Sequence, residues 1–426
     1  MFFAQTVALN YQSEGRVLQL NRAKFYTNGN CGYVLKPKCM CEGAFNPVLE
    51  DPLPGQLKKQ LVLRIISGQQ LPKPKDSMLG DRGEIIDPFV EVEIIGLPAD
   101  CCKEQTRVVD DNGFNPMWEE TLVFTLHMPE IALIRFLVWD HDPIGRDFIG
   151  QRTIAFTSMM SGYRHVYLEG MEEASIFVHI AVNDITGKMA NVTREHCIEI
   201  VNKFEPCSEN QKQGVLGIDG FTNYMRSPAG DIFNPEQYEV NQDMSQPLCN
   251  YFISSSHNTY LMGDQLMSQS RVDMYAWVLQ AGCRCVEVDC WDGPDGEPIV
   301  HHGYTLTSKI LFRDVIETIN KNAFVKNQYP VILSLENHCS VPQQKKMAQY
   351  LVEVMGDKLD LSSVNMEESG RLPSPEELKG KILVKVEISY IQLQLGNPAV
   401  AGLRVTRGIC KICMTKDLNP FRYTRS

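Results

Sequence analysis

Cys285-Val286-Glu287-Val288-Asp289 is the stretch on which the fold of the C-terminal half turns. A strand alternates its side chains between two faces, so Val286 and Val288 share one face while Glu287 and Asp289 share the other. Two carboxylates pointing the same way in an otherwise apolar strand repel each other, and a metal relieves that repulsion. Working outward, Val331-Ile332-Leu333-Ser334-Leu335-Glu336-Asn337 is a second apolar strand ending on an acid, and Asn250 to Ser254 and Pro298 to His302 read as two more. Patterns of helical period lie at Arg271 to Gln280, Leu311 to Ala323 and Pro342 to Val354, the last opened by Ser340 with Gln343 three residues on, a capping box. Strands alternating with helices predict βα units and a parallel barrel or sheet.

In such an architecture the chemistry sits at the carboxyl ends of the strands. His257-Asn258 follows the first strand, His301-His302 ends the third, and Glu287, Asp289 and Glu336 end the others. A lone carboxylate at a loop start is usually only solvated, and a lone histidine is usually structural. Two histidine sites, an asparagine and three acids at the same ends of four strands instead suit phosphoryl transfer, in which a cation and imidazoles offset charge on phosphorus and one histidine protonates the leaving oxygen.

Residues 57–182 read differently. Short alternating segments at Leu61 to Ser67, Pro88 to Ile94, Thr121 to Leu126, Arg135 to Trp139 and Ser175 to Val182 predict a β-sandwich. Val90, Val92 and Ile94 share one face, with Glu91 and Glu93 opposite. Between the strands lie acid-rich turns, so Asp87, Asp111, Asp140, Asp142 and Asp147 are expected to converge at one end, as an oxygen-liganded ion such as Ca²⁺ requires. Residues 187–245 turn helical, with Cys197, Ile198, Val201 and Phe204 on one stripe and a second short helix at Ile218 to Tyr224. They carry no D-x-D-x-D-G calcium loop.

Composition narrows the classes. The 426 residues allow two to four domains, and 43% hydrophobic with 22% charged residues is globular. Lys plus Arg number 41 against 52 Asp plus Glu, a net charge of −11 that argues against nucleic-acid binding through bulk charge. Fourteen scattered cysteines and an N-terminus without a signal-peptide pattern predict reduced thiols in the cytosol. The most apolar run, Ile131 to Trp139, is too short to span a bilayer, so membrane contact is expected to be peripheral.

Four motifs in order carry a resemblance: 254–261 (SSSHNTYL), 287–293 (EVDCWDG), 302–307 (HGYTLT) and 335–339 (LENHC). Together they resemble the X half of eukaryotic phosphoinositide-specific phospholipase C, the eta class most of all. Residues 1–50, with NGNCGYVLKP at 28–37, resemble the end of that family's Y half, 57–182 its C2 domain, 187–245 its EF-hand-like lobe and 246–386 the X half, leaving 387–426 as an unrelated tail. The resemblance implies a multidomain fold: a partial TIM-type β/α barrel, an all-β C2 sandwich and a small helical EF-hand-like lobe.

It also implies roles. His257 would stabilise the transition state, His302 would be the general acid, and Asn258, Glu287, Asp289 and Glu336 would be calcium ligands, with Glu287 or Glu336 also serving as general base. Lys385 and Lys381 would face the substrate's phosphates. The implied substrate is phosphatidylinositol 4,5-bisphosphate, and the implied place is the cytoplasmic side of the plasma membrane. The order of segments departs from the family, in which Y follows X and C2 comes last. Here the early and middle Y strands are absent, and Glu387 stands where the family has a lysine. The first four barrel strands and the last, near Gln5 to Tyr11, are therefore expected to form an open half-barrel. The competing expectation is an inactive rearranged chain that binds calcium and anionic membranes through its sandwich, and a third is a different phosphodiesterase on a similar barrel.

Overall fold

The computed structural model describes residues 7–42, 45–46, 58–74, 85–143, 145–171, 173–184, 194–362 and 372–388. The chain divides into two compact units, Ala44–Tyr238 and a second that joins Met1–Gly43 to Glu239–Ser426.

In the first unit, antiparallel strands form two four-stranded sheets. One has the order Met117–Leu126, Lys59–Gln69, Ser175–Asp184, Gly162–Tyr167, and the other Cys102–Gln105, Pro88–Ile95, Leu133–Asp142, Gly145–Ala155. Their inner faces share one core in which Val90, Val92 and Ile94 meet Leu61, Leu63, Ile65, Ile176, Val178 and Ile180. Glu91, on the outer face, is nevertheless only 2% exposed, because Lys103 and Arg146 reach over its carboxylate at 2.8 and 2.7 Å.

Three helices follow, Arg194–Phe204, Ser208–Gln213 and Ile218–Arg226. The expected apolar stripe packs only at its far end: Val201 is buried and Phe204 meets Tyr224 edge-on, while Cys197 and Ile198 are exposed. A polar clamp organises the lobe instead. The buried carboxylate of Glu205 accepts the N–H groups of Cys207 (3.0 Å) and Gly217 (2.6 Å) and the Nδ2 of Asn210 (3.2 Å). Gly220 lets the clamp close, since a Cβ there would stand 2.3 Å from Glu205 Oε2.

The second unit is built on parallel strands. Ala8–Leu9 pairs with Ser255–Ser256, which pairs at Cys285 with Cys285–Trp291; that strand pairs with Val331–Asn337, which pairs with Ile382–Ile388. Val286, Val288, Leu333 and Leu335 face the helices Asp273–Gln280, Phe312–Asn322 and Val341–Met355 through Val278, Leu279, Val315, Ile319, Met347 and Leu351. The opposite face is apolar only at its foot, where Cys285, Ile332 and Leu383 meet Tyr33 and Tyr251. Above that foot it carries Glu287, Asp289 and Glu336. Among the described residues the sheet does not close into a barrel: its parallel run ends at Ala8–Leu9 and Ile382–Ile388, and an antiparallel branch through Ile299–Val300 ends at Ile310–Leu311.

Several expectations need correction here. Pro298 to His302 is not a parallel strand: only Ile299–Val300 is extended, and it pairs antiparallel with Cys290 and Trp291 because the turn before it is too short for a crossover. Asn250 to Ser254 is likewise represented by Tyr251–Ile253, antiparallel to Tyr33–Leu35, while Ser255–Ser256 enters the parallel sheet. The capping box at Ser340 and Gln343 does not form. Ser340 bonds Asp292 through its N–H and Oγ, and Gln343 exchanges two hydrogen bonds with the backbone of Gly293, so both residues fix the turn beyond the 285–291 strand. The tail begins later than 387, since Glu387 and Ile388 pair with Glu336 and Asn337; residues 389–426 lie outside the described residues, as do Gln5 and Thr6 of the expected N-terminal strand.

The Glu91 cluster makes the sandwich sensitive to acid. Burial works against the Glu91 charge, but hydrogen bonds from Lys103 and Arg146 outweigh it and hold the carboxyl below the ordinary glutamate value. Its contribution is therefore present above the unfolded pKa of about 4.3 and lost as pH falls through the lower folded value. Urea unfolding near neutral pH and near pH 4 should show a shallower acid loss in Glu91→Gln than in the parent, with the variant less stable at neutral pH. The same acid loss in both proteins would exclude this role.

Candidate active site

Parallel register brings the acids together. Asp289 pairs with Glu336 across adjacent strands, and Glu287 lies two residues back on the face of Asp289. One oxygen from each of the three carboxylates falls within 4.8 Å of the others, the only such group of metal-ligating side chains found among the described residues. At that spacing each charged pair repels by about 3–4 kcal/mol at an effective dielectric of about 20, which a bound cation would reverse. The donor set is hard oxygen, suited to Ca²⁺ or Mg²⁺ rather than a thiophilic ion.

Neighbouring groups hold the acids in place. Tyr260 donates its hydroxyl to Asp289 Oδ2 at 2.6 Å, and burial together with the Asp289 charge raises the phenol pKa far above its ordinary value. The Asn258 N–H donates to Glu287 Oε2 at 2.9 Å. Asn258 adopts a left-handed conformation (φ 42°), which asparagine tolerates better than most residues. His338 brings Nε2 to 2.9 Å from Glu336 Oε1 while its ring stacks on Trp291, centroids 4.0 Å apart.

Both histidines are anchored through Nδ1. His257 Nδ1 lies 3.1 Å from Asn10 Oδ1, and its backbone N–H bonds the carbonyl of Leu9. His302 Nδ1 lies 2.7 Å from the carbonyl of Gln265. Each partner is an acceptor, so each Nδ1 carries the proton and each Nε2 is left for chemistry. His301 instead turns its Nδ1 to the carbonyl of His302 and tilts against Trp291; burial lowers its pKa. Beside His302 stand exposed apolar chains: Leu266 (67%), Met267 (70%), Tyr304 (99%) and Leu306 (82%).

The two lysines separate. Lys385 pairs with Ser334, two positions below Glu336. Lys381 precedes the same strand at its opposite end, where its Nζ donates to the carbonyl of Asp357, so it does not join the acids. The resemblance grouped both lysines because they lie close in sequence, which carries no information about distance along the strand.

In the sandwich the five aspartates gather at one end. The Asp87 N–H donates to Asp140 Oδ1 and the Asp111 N–H to Asp87 Oδ1, each at 2.7 Å, while Asp140 pairs with Asp147 across a hairpin. Burial raises the Asp140 pKa; the Asp87 N–H opposes this, and the charges of Asp142, Asp87 and Asp147 add to it.

Sequence reading assigned nothing to Asn10, Tyr260, Gln265 or His338. His338 had a signal, being two residues beyond Glu336 at a strand end. Gln265 had none, because its role depends on a loop returning to the site.

Comparison with known proteins follows the same lines. Residues 244–388 match the phosphatidylinositol-specific phospholipase C X domain, 4–39 its Y domain, 59–168 the C2 domain and 186–235 the EF-hand-like domain of phosphoinositide-specific phospholipase C. The chain is 70% identical over 240 residues to human 1-phosphatidylinositol 4,5-bisphosphate phosphodiesterase eta-2, covering 54% of this chain and 17% of that protein. It is 70% identical over 214 residues to the human eta-1 protein, covering 50% and 13%. It is 55% identical over 199 residues to mouse inactive phospholipase C-like protein 2, covering 47% and 18%. Each match spans less than a fifth of the relative's length. No helix among the described residues is long and apolar enough to cross a membrane. Four segments of the chain are thus similar to the X, Y, C2 and EF-hand-like domains of phosphoinositide-specific phospholipase C, the Y match being confined to residues 4–39.

Proposed function

We propose that this chain is a calcium-dependent phosphoinositide phospholipase C that cleaves phosphatidylinositol 4,5-bisphosphate to diacylglycerol and inositol 1,4,5-trisphosphate, acting as a peripheral protein at the cytoplasmic face of the plasma membrane. The observation that carries this reading is the Glu287, Asp289 and Glu336 group in the same unit as two histidines that are both anchored through Nδ1. Those three acids and the amide oxygen of Asn258 would hold the ion. Calcium bound there supplies positive charge that favours ionisation of the inositol 2-hydroxyl and offsets charge at phosphorus.

The chain's own groups do the rest. Glu287 or Glu336 accepts the 2-hydroxyl proton as that oxygen attacks phosphorus. His257 offsets the growing charge on the phosphoryl oxygens. Protonated His302 donates from Nε2 to the departing diacylglycerol oxygen, leaving a cyclic phosphate that water opens with His302 acting as base. Lys385 contributes charge toward the headgroup phosphates, and the exposed Leu266, Met267, Tyr304 and Leu306 suit contact with lipid. In the sandwich, Asp87, Asp111, Asp140, Asp142 and Asp147 would take calcium and so lose their repulsion toward anionic lipid.

The open sheet favours a second reading, an inactive chain that binds calcium and membrane only. Glu387, whose backbone stands opposite that of Glu336, replaces the lysine that the family pattern has there. One experiment divides the readings. With a fragment carrying the remaining barrel strands supplied in trans, inositol phosphate release should rise well above that of the chain alone, because pairing both sheet edges restrains the site. Unassisted turnover equal to that of a complete family enzyme would refute the dependence on closure, and no release in either case would favour the inactive chain.

In the assisted reaction His302→Ala should lower release by roughly 10²–10⁴-fold with vesicle binding unchanged. Equal rates would remove His302 from the mechanism. Separately, Asp140→Asn with Asp142→Asn should abolish calcium-dependent sedimentation with phosphatidylserine vesicles; undiminished sedimentation would reject the sandwich site.

A further inference from the structure

Gln265 occupies a loop between the two histidine sites, and three of its polar groups are engaged there. Its Oε1 accepts from Asn258 Nδ2 at 2.6 Å, its Nε2 donates to Asn10 Oδ1 at 3.4 Å, and its carbonyl accepts from His302 Nδ1 at 2.7 Å. Asn10 Oδ1 also receives His257 Nδ1. The loop is fixed by Asp264, whose carboxylate accepts the N–H groups of Leu266 and Met267, both at 2.8 Å, and by the bond from Leu306 N–H to the carbonyl of Leu266.

The donors and acceptors run in one consistent direction. Because the Asn258 amide nitrogen is committed to Gln265, its oxygen is the end left for an ion. Were the amide reversed, its oxygen would meet Gln265 Oε1, two acceptors in contact. We infer that Gln265 is a positioning residue of the active site: its side chain fixes the Asn258 amide for calcium and braces the Asn10 acceptor of His257, while its backbone sets the His302 tautomer. This rests on the proposed calcium site. Outer partners that orient a ligand in this way typically change metal affinity by about 10–100-fold when removed.

The test is calorimetric calcium titration of the full chain carrying Asp140→Asn and Asp142→Asn to silence the sandwich. Against that parent, Gln265→Leu should weaken calcium binding about 10–100-fold. Gln265→Glu, which keeps an acceptor for Asn258 Nδ2, should retain or exceed the parent's affinity, and this guards against a mere folding defect. Glu336→Gln, which removes a proposed ligand, should weaken binding too. Parental affinity in Gln265→Leu alongside loss in Glu336→Gln would overturn the positioning role alone. Equal weakening in Gln265→Leu and Gln265→Glu would overturn it as well. Parental affinity in Glu336→Gln would overturn the calcium site and the role of Gln265 with it.

Discussion

The architecture of the second unit depends on one buried cation at the foot of one strand. Arg284 is fully buried, and its guanidinium donates to the carbonyls of Ala323 (2.6 Å) and Leu279 (2.9 Å), at the C-terminal ends of two helices. Its backbone works sideways: the N–H bonds the carbonyl of Ser254, and the carbonyl accepts the N–H of Ile332. One residue thus ties two helix ends to two neighbouring strands. A one-residue slip here would send Glu287 and Asp289 toward the helices and Val286 and Val288 to the site. Gly32 makes room for this clamp, since a Cβ there would lie 2.3 Å from Arg284 Cγ.

Periodicity made the faces of the sheets legible. The pattern Val90, Val92, Ile94 and the pattern Val286, Val288 against Glu287, Asp289 both follow from the two-residue repeat of a strand, a local property written in consecutive residues. What remained hidden was whatever depends on the far side of the chain. Ser340 and Gln343 have the spacing of a helix cap, but Asp292 and Gly293, brought near by folding, compete for their side chains and win. Lys381 and Lys385 look equivalent until the register shows one of them at the wrong end of the strand. Cys197 and Ile198 look like core until the Glu205 clamp is seen to hold the helices without them.

Acidity is the common thread between the two units. Each collects carboxylates at strand ends, while Glu91, a buried acid elsewhere in the sandwich, is held by Lys103 and Arg146. The net charge of −11 gives the whole chain the same bias.

The pairing of Ala8–Leu9 with Ser255–Ser256 bears on how the chain is made. Tyr11 and Ser254, which share a 2.6 Å hydrogen bond, are 243 positions apart. At about 5–20 residues per second, a ribosome needs roughly 10–50 s to reach the second after finishing the first. The sandwich can assemble within that interval, while the N-terminal segment waits for its partner Ser255–Ser256. Its early apolar residues must remain unaggregated throughout, so the yield of folded protein depends on how the nascent chain is sheltered during elongation.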